Sequence, residues 1–340
     1  MIIFFIIFTL IIIFLHYFCF AQSFALTTPL LKILPFLAAC LMMFLISFVR
    51  SYNGFGAGLL HIFAHGWLGF IFLWFCCSLF LAVLRLLHLN TPGYFACIAA
   101  LILSLIATWT AFKAPVIKQI EIKNSKIKTP ILIAQITDTH LGKNINPTRL
   151  KKALKELNTY KPDIIFFTGD IFEDTENMQP YINIIKDLKA PCGKYVISGN
   201  HEYYGGLAQN RALFKQAELT DLDNKTIESC GLIINGVSDM PDQNFLNNLK
   251  KEEKFSILLK HQPSDFESLA PKIDLMLSGH THAGQIWPFN YLVALRFKHS
   301  KGLYNIGESN LYVSPGTFYW GPSMRLFTHN EIALIKLNEK

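Results

Sequence analysis

Residues 1–112 contain no Asp or Glu and only three basic residues, Lys32, Arg50 and Arg85. The rest of the 340-residue chain holds all 24 acids and 28 of the 31 Lys and Arg. A bilayer is crossed by about 20 consecutive apolar residues. Four stretches reach that length, near 2–20, 30–49, 61–84 and 94–112, and turn formers at 27–29, 51–54 and 90–93 separate them. A soluble core has no use for four apolar segments of this length that carry a single charge, Lys32, among them. The expectation is therefore a transmembrane region over 1–112 followed by a polar domain over 113–340. The first residues carry no basic cluster, so a cleaved signal peptide is not expected.

Four spans leave both chain ends on one side. That side holds Arg50 and then Lys113, Lys118, Lys123, Lys126 and Lys128, against Lys32 and Arg85 opposite. The positive-inside rule then predicts a multi-pass protein of the bacterial inner membrane with its polar domain in the cytoplasm. The same lysines account for much of the net charge of +7 as attraction to anionic head groups, so no nucleic-acid partner is expected. Five of seven Cys lie in the apolar third. The other two, Cys192 and Cys230, have no CxxC spacing, so neither a disulfide framework nor a thiolate metal site is expected.

Beyond Lys113 short apolar runs alternate with amphipathic stretches. An edge strand is expected near 120–127, and strands at 131–136, 163–167, 194–197, 232–234, 256–259, 273–277, 311–313 and 331–337. Helices are expected at 147–160, 181–188 and 207–219. Strands alternating with helices, then a strand-rich half, predict a layered α/β domain.

Five of the apolar runs end in metal-binding residue types. Asp138 and His140 follow the first, Gly169-Asp170 the second and Gly199-Asn200-His201-Glu202 the third. His261 follows the fourth, and Gly279-His280-Thr281-His282 the fifth. In an extended chain residues i and i+2 face one side, so Asp138 with His140, and His280 with His282, are expected to converge. Each pair alone is common and uninformative. The ordered set is more than one cation needs and suggests two neighbouring cations sharing a carboxylate. Imidazole, carboxylate and amide ligands favour Mn²⁺, Fe, Co²⁺ or Zn²⁺.

This set resembles the calcineurin-like metallophosphoesterase family, and most closely its bacterial membrane-associated branch. The segment 311–325 followed by Glu331-Ile332 is similar to that branch's terminal segment, although Pro315 and Phe318 stand where Arg and Gly are expected. The resemblance covers roughly 114–340. It implies a four-layer α/β sandwich placed after the four helices. It also implies that Asp138, His140 and His282 hold one divalent metal ion, that Asn200, His261 and His280 hold the second, and that Asp170 bridges them. His201 would act as the catalytic acid or charge stabiliser beside the substrate phosphate, with Glu202 orienting it. The activity implied is that of a phosphohydrolase: a phosphomonoesterase, phosphodiesterase or pyrophosphatase.

Aromatic residues at 287–291 and 318–320 adjoin these motifs in sequence and suit an amphipathic, lipid-linked phosphate as substrate. The competing reading is a membrane receptor or transport component with a regulatory metal-binding domain. Nothing in the sequence fixes the oligomeric state.

Overall fold

The computed structural model describes residues 2–24, 26–52, 54, 56–240 and 242–340. Four helices come first: α1 (Ile2–Ser23), α2 (Pro29–Ser51), α3 (Ala57–Leu86) and α4 (Tyr94–Phe112). All four are long and apolar enough to cross a membrane. The hydroxyl of Thr28 accepts from the Leu31 amide and starts α2, with Pro29 at the first helical position; both devices suit a helix N-terminus. The buried residues of α4 are Ala96, Ala100, Ser104, Ala107 and Ala111, three or four positions apart. Such a stripe of small side chains lets helices approach closely where no water is present to drive them together. Phe95, Leu101, Leu105 and Trp109 are exposed on the same helix.

Two compact units result. One comprises Met1–Phe112 with Gly321–Leu326, and the other Lys113–Trp320 with Phe327–Lys340. The second unit is a pair of six-stranded sheets. Its strands are β1 (Val116–Lys123), β2 (Ile131–Ile136), β3 (Ile164–Thr168), β4 (Lys194–Ile197), β5 (Thr220–Asp221), β6 (Lys225–Ser229), β7 (Leu232–Val237), β8 (Ser256–Lys260), β9 (Leu275–Ser278), β10 (Gly302–Ile306), β11 (Ser309–Val313) and β12 (Glu331–Asn338). The first sheet runs β1-β12-β2-β3-β4-β5, parallel except where β12 lies antiparallel to β2. The second runs β10-β11-β9-β8-β7-β6, with parallel pairing from β11 to β7 and an antiparallel strand at each edge.

The helices of this unit are α5 (Pro147–Thr159), α6 (Gln179–Lys186), α7 (Asn200–Tyr204), α8 (Leu207–Gln216), α9 (Gln243–Asn248), α10 (Phe266–Leu269) and α11 (Phe289–Arg296). One core lies between the sheets, where Ile133, Ile164, Phe166 and Ile197 meet Ile234, Ile257, Leu259 and Leu277. All five residues of β3 and of β8 are buried, so the outer faces are covered as well. Leu150, Leu154 and Leu157 of α5 with Ile182 and Ile185 of α6 form apolar stripes on the first sheet's side. Leu246, Phe266 and Leu269 pack with Leu258 and Met276 on the second's. Buried parallel strands read as unbroken apolar runs, which is why β2, β3 and β8 were visible in sequence. The architecture is the four-layer α/β sandwich preceded by four apolar helices.

Two expectations change. Cys192 and Cys230 form a disulfide with their Cα atoms 5.8 Å apart. Cys230 (φ +47) and Gly231 (φ +76) make the two-residue turn between β6 and β7, and only the packed sheets bring that tip to Cys192, just before β4. The stretch 283–293 after His282, where no helix was expected, leads into helix α11.

Candidate metal centre

β2, β3 and β4 run parallel, so their C-terminal ends share one edge of the first sheet; β8 and β9 do the same in the second. The edges meet where His261 Nδ1 donates to the Thr168 carbonyl (2.8 Å) and Gln135 Nε2 donates to the Ser278 carbonyl (3.0 Å). The backbone reverses sharply at each strand end. Asp138 (φ +51), His140 (φ +42), Asp170 (φ +53), His280 (φ +70) and His282 (φ +47) all lie in the left-handed region. Non-glycine residues rarely visit it, and each costs on the order of 1 kcal/mol. Convergence of the i, i+2 pairs thus comes from left-handed turns and not from extended chain. A Cβ at Gly279 would collide with the Asp138 carboxylate, so only glycine lets these two loops close on each other.

All seven residues expected as ligands lie at this edge. The Asp138 carboxylate accepts from the Thr137 hydroxyl (2.8 Å) and from the His280 amide (3.0 Å), and its Oδ1 lies 3.5 Å from His282 Nε2. His140 Nε2 is 3.1 Å from His282 Nε2 and 3.9 Å from Asp170 Oδ2. Asp170 Oδ2 is 3.2 Å from His261 Nε2, which is 3.3 Å from His280 Nδ1. Candidate ligand atoms fall into three groups: Asp138, His140 and His282; His140, Asp170 and His201; Asp170, His261 and His280. Asp170 belongs to two of them. His201 sits beside it, Nε2 4.0 Å from Asp170 Oδ2.

Two carboxylates organise this cluster. Glu173 accepts from Nδ1 of both His140 (2.9 Å) and His201 (2.8 Å), which leaves Nε2 of both rings turned towards Asp170. Sequence reasoning missed Glu173; its position three residues after Asp170 was the available signal. Glu202 does not orient the His201 ring as expected. Its buried carboxylate instead accepts from the backbone amides of Gly199, Asp170, Ile171 and Phe172 (2.7–3.3 Å), tying the Asp170 turn to the start of α7. Burial opposes the His201 imidazolium, but the bond to Glu173 and the charge of Asp170 outweigh it and hold the ring up to about 9. Burial and the neighbouring His261 charge push His280 down to about 3.

The sequence profile of the calcineurin-like phosphoesterases matches residues 131–284. An uncharacterized metallophosphoesterase of Campylobacter jejuni is 35% identical over 250 residues, 68% of this chain and 65% of that protein. A second, from Aquifex aeolicus, is 30% identical over 62% of this chain and 87% of its own length. The chain belongs to the calcineurin-like phosphoesterase family. A bovine transmembrane protein with a metallophosphoesterase domain is 29% identical over 69% of this chain and 60% of its own length. This chain therefore spans about two thirds or less of the Campylobacter and bovine relatives.

The phosphoesterase cluster can be tested for its fit to cations. Asn200 Oδ1 is buried and has no hydrogen-bond partner, an arrangement that costs roughly 1–3 kcal/mol and that a cation would relieve. Imidazole nitrogens of two pairs, His140 with His282 (3.1 Å) and His261 with His280 (3.3 Å), face each other, as two ligands of one cation would. His140 and His261 each have Nδ1 engaged by an oxygen acceptor, which sets Nε2 as the free ligand. The residues fit two divalent metal ions.

Of the aromatic residues expected beside this site, Phe318 and Tyr319 are fully buried, with the Arg149 guanidinium 5.0 and 5.4 Å from their rings. Trp320 is 47% exposed with its ring 5.5 Å from that of His201, and Tyr204 stands 5.4 Å from the same imidazole. Trp287, Phe289 and Tyr291 are exposed.

Proposed function

We propose that this chain is a membrane-anchored, dinuclear-metal-dependent phosphohydrolase that cleaves a phosphate ester or pyrophosphate. The observation that carries the reading is Asp170, whose Oδ2 lies within 4 Å of one expected ligand of each site, His140 Nε2 (3.9 Å) and His261 Nε2 (3.2 Å), beside the unpartnered Asn200 oxygen. Asp138, His140 and His282 would hold one metal ion, Asn200, His261 and His280 the other, and Asp170 both. When bound, such ions supply Lewis acidity: they acidify water and offset charge on the phosphoryl oxygens.

The chain's own part is to position and to move a proton. His201, held by Glu173 with its Nε2 turned to the cluster, is the acid that protonates the leaving oxygen or stabilises its charge. The hydrogen bond from its Nδ1 to Glu173 and the nearby Asp170 carboxylate favour its imidazolium form. Trp320 and Tyr204 flank it and supply aromatic faces to the leaving group. A lipid-linked phosphate is the substrate class these exposed aromatics favour in a chain that carries four membrane-length helices. We place it as a multi-pass protein of a bacterial inner membrane.

The reading of a receptor with a regulatory metal site is disfavoured by His201 and Glu173. A binding site has no need of an imidazole held at its edge by a hydrogen bond from Nδ1 to a carboxylate. The deciding experiment is hydrolysis of bis-p-nitrophenyl phosphate and p-nitrophenyl phosphate by the purified full-length protein, stripped of metal and then given Mn²⁺. Turnover that depends on added metal supports the proposal. Metal binding without turnover on these or on lipid phosphates would favour the receptor.

A further inference from the structure

Helix α11 buries none of its residues, although its sequence FNYLVALR is mostly apolar. Tyr291, Leu292 and Leu295 fall on one face and are 62%, 55% and 84% exposed. Trp287 precedes them and packs on exposed Phe327, ring centroids 5.8 Å apart. A contiguous apolar patch of this kind marks an interaction surface. Basic residues border it in sequence: residues 287–301 include Arg296, Lys298 and Lys301 and no Asp or Glu, with Lys298 paired to Glu267 (2.6 Å). An exposed apolar helix face with Trp and Tyr beside it and cationic residues at its rim has the composition of an interfacial helix. Lys113 follows Phe112 without a linker, so a bilayer surface is always within reach of this domain.

We propose that α11, with Trp287 and Phe327, docks on the membrane surface among anionic phospholipid head groups. α11 follows directly on the turn that carries His282 and packs on it, so docking would seat the phosphoryl site at head-group level. This inference rests on the membrane reading and is independent of the reaction assigned to the site.

The full-length protein and its Trp287→Phe variant are reconstituted into vesicles of phosphatidylcholine and phosphatidylglycerol that carry bromine on shallow or deep acyl carbons. The difference in emission reports Trp287 alone. The expected result is that shallow bromines remove at least half of that signal while aqueous iodide has little effect. Quenching by iodide and not by bromine would overturn the proposal. So would shielding from both quenchers, the outcome expected if a second copy of the chain covers the face. Leu292→Glu with Leu295→Glu gives a further readout: KM for a phosphate ester embedded in vesicles rises tenfold or more, with bis-p-nitrophenyl phosphate turned over at the native rate. If the native protein hydrolyses neither substrate, the assigned reaction fails and the quenching result still decides the docking.

A different observation carries a second inference. Cys192 and Cys230 are the two cysteines of the sandwich domain, and they are bonded. The bond joins the segment before β4 of one sheet to the β6–β7 turn of the other. Structural disulfides persist in oxidising compartments and are rare in reducing ones. The lysines that predict a cytoplasmic domain are in part engaged elsewhere: Lys126 binds buried Asp274 (2.9 Å), and Lys128 lies 3.8 Å from Glu339. We infer that the domain faces the oxidising side of the membrane. A secreted alkaline phosphatase fused after Lys340 is expected to be active. In the same cells, maleimide blocking, reduction and polyethylene-glycol maleimide should add two labels that Cys230→Ser abolishes. An inactive reporter on a stably expressed fusion would overturn the assignment, as would blocking of both thiols before reduction.

Discussion

Replacing Glu202 by Gln changes one oxygen for an amino group and little else, and the structure says what it should cost. Oε1 accepts from the amides of Ile171 and Phe172, and Oε2 from those of Asp170 and Gly199. Neither orientation of a Gln amide can satisfy this arrangement. Whichever side the NH₂ occupies, two backbone donors meet a third donor and lose their acceptor. The side chain is fully buried, and a hydrogen bond to a charged group contributes about 1.5–3 kcal/mol. Two lost bonds therefore cost about 3–6 kcal/mol, a large part of a typical stability of roughly 5–15 kcal/mol. For a domain of this size 1 kcal/mol moves Tm by about 2–4 °C, so even the lower figure predicts a fall of about 6–12 °C. The assay is thermal unfolding of the metal-free full-length protein in detergent, followed by near-UV circular dichroism, which excludes any contribution from lost metal binding. Metal affinity should fall as well, because the same four amides position Asp170 and the Asn200-His201 turn. A Glu202→Gln protein that melts within a degree of the native one would refute the reasoning.

Further outcomes follow from the same geometry. Asp170→Asn is expected to abolish turnover and lower the bound metal towards one equivalent or less by elemental analysis; full metal content with activity would sink the shared-carboxylate assignment. His201→Ala should keep its metal while kcat falls by about 10² or more, and loss of metal instead would make His201 a ligand. Glu173→Gln should reduce activity by about 10–100-fold through the misplaced rings of His140 and His201, measured as kcat with metal content held at the native level. Asp274 gives a pH test away from the site. Burial acts to raise its carboxyl, but the bonds from Lys251, the Ser256 amide and Lys126 overcome this and hold it below its ordinary value. A depressed folded value means stability that is present above the unfolded value of about 3.9 and is lost as pH falls from there through the lower folded value. Asp274→Asn should cost about 1–2 kcal/mol at neutral pH, after allowing for water around the two lysines, and should flatten the fall in Tm between pH 5 and 3.

How much of this was legible in the sequence divides along a physical line. β2, β3, β4 and β8 were readable because both faces of these strands are covered, which forces apolar runs such as 164–167 in β3. The four apolar helices were readable because a bilayer tolerates no charge. The ligand residues were readable as a set because each terminates such a strand, where the chain leaves the core. What could not be read was set by partners distant in sequence. β12 enters the first sheet between β1 and β2 on side-chain fit alone. Cys230 reaches Cys192 only when two sheets pack, and α11 has an apolar face but none of the burial that makes a helix of a globular domain periodic against a core.

Glu173 is the instructive case. It is an acid in a loop, indistinguishable by type from Glu176 three residues on. What gives it a role is that Asp170 must turn left-handed to reach the cluster, and that turn carries the following residues back beneath His140 and His201. The strain at Asp170 and the placement of Glu173 are therefore one feature of the backbone. A substitution that relaxed the turn would be expected to disturb both imidazoles even with every ligand in place.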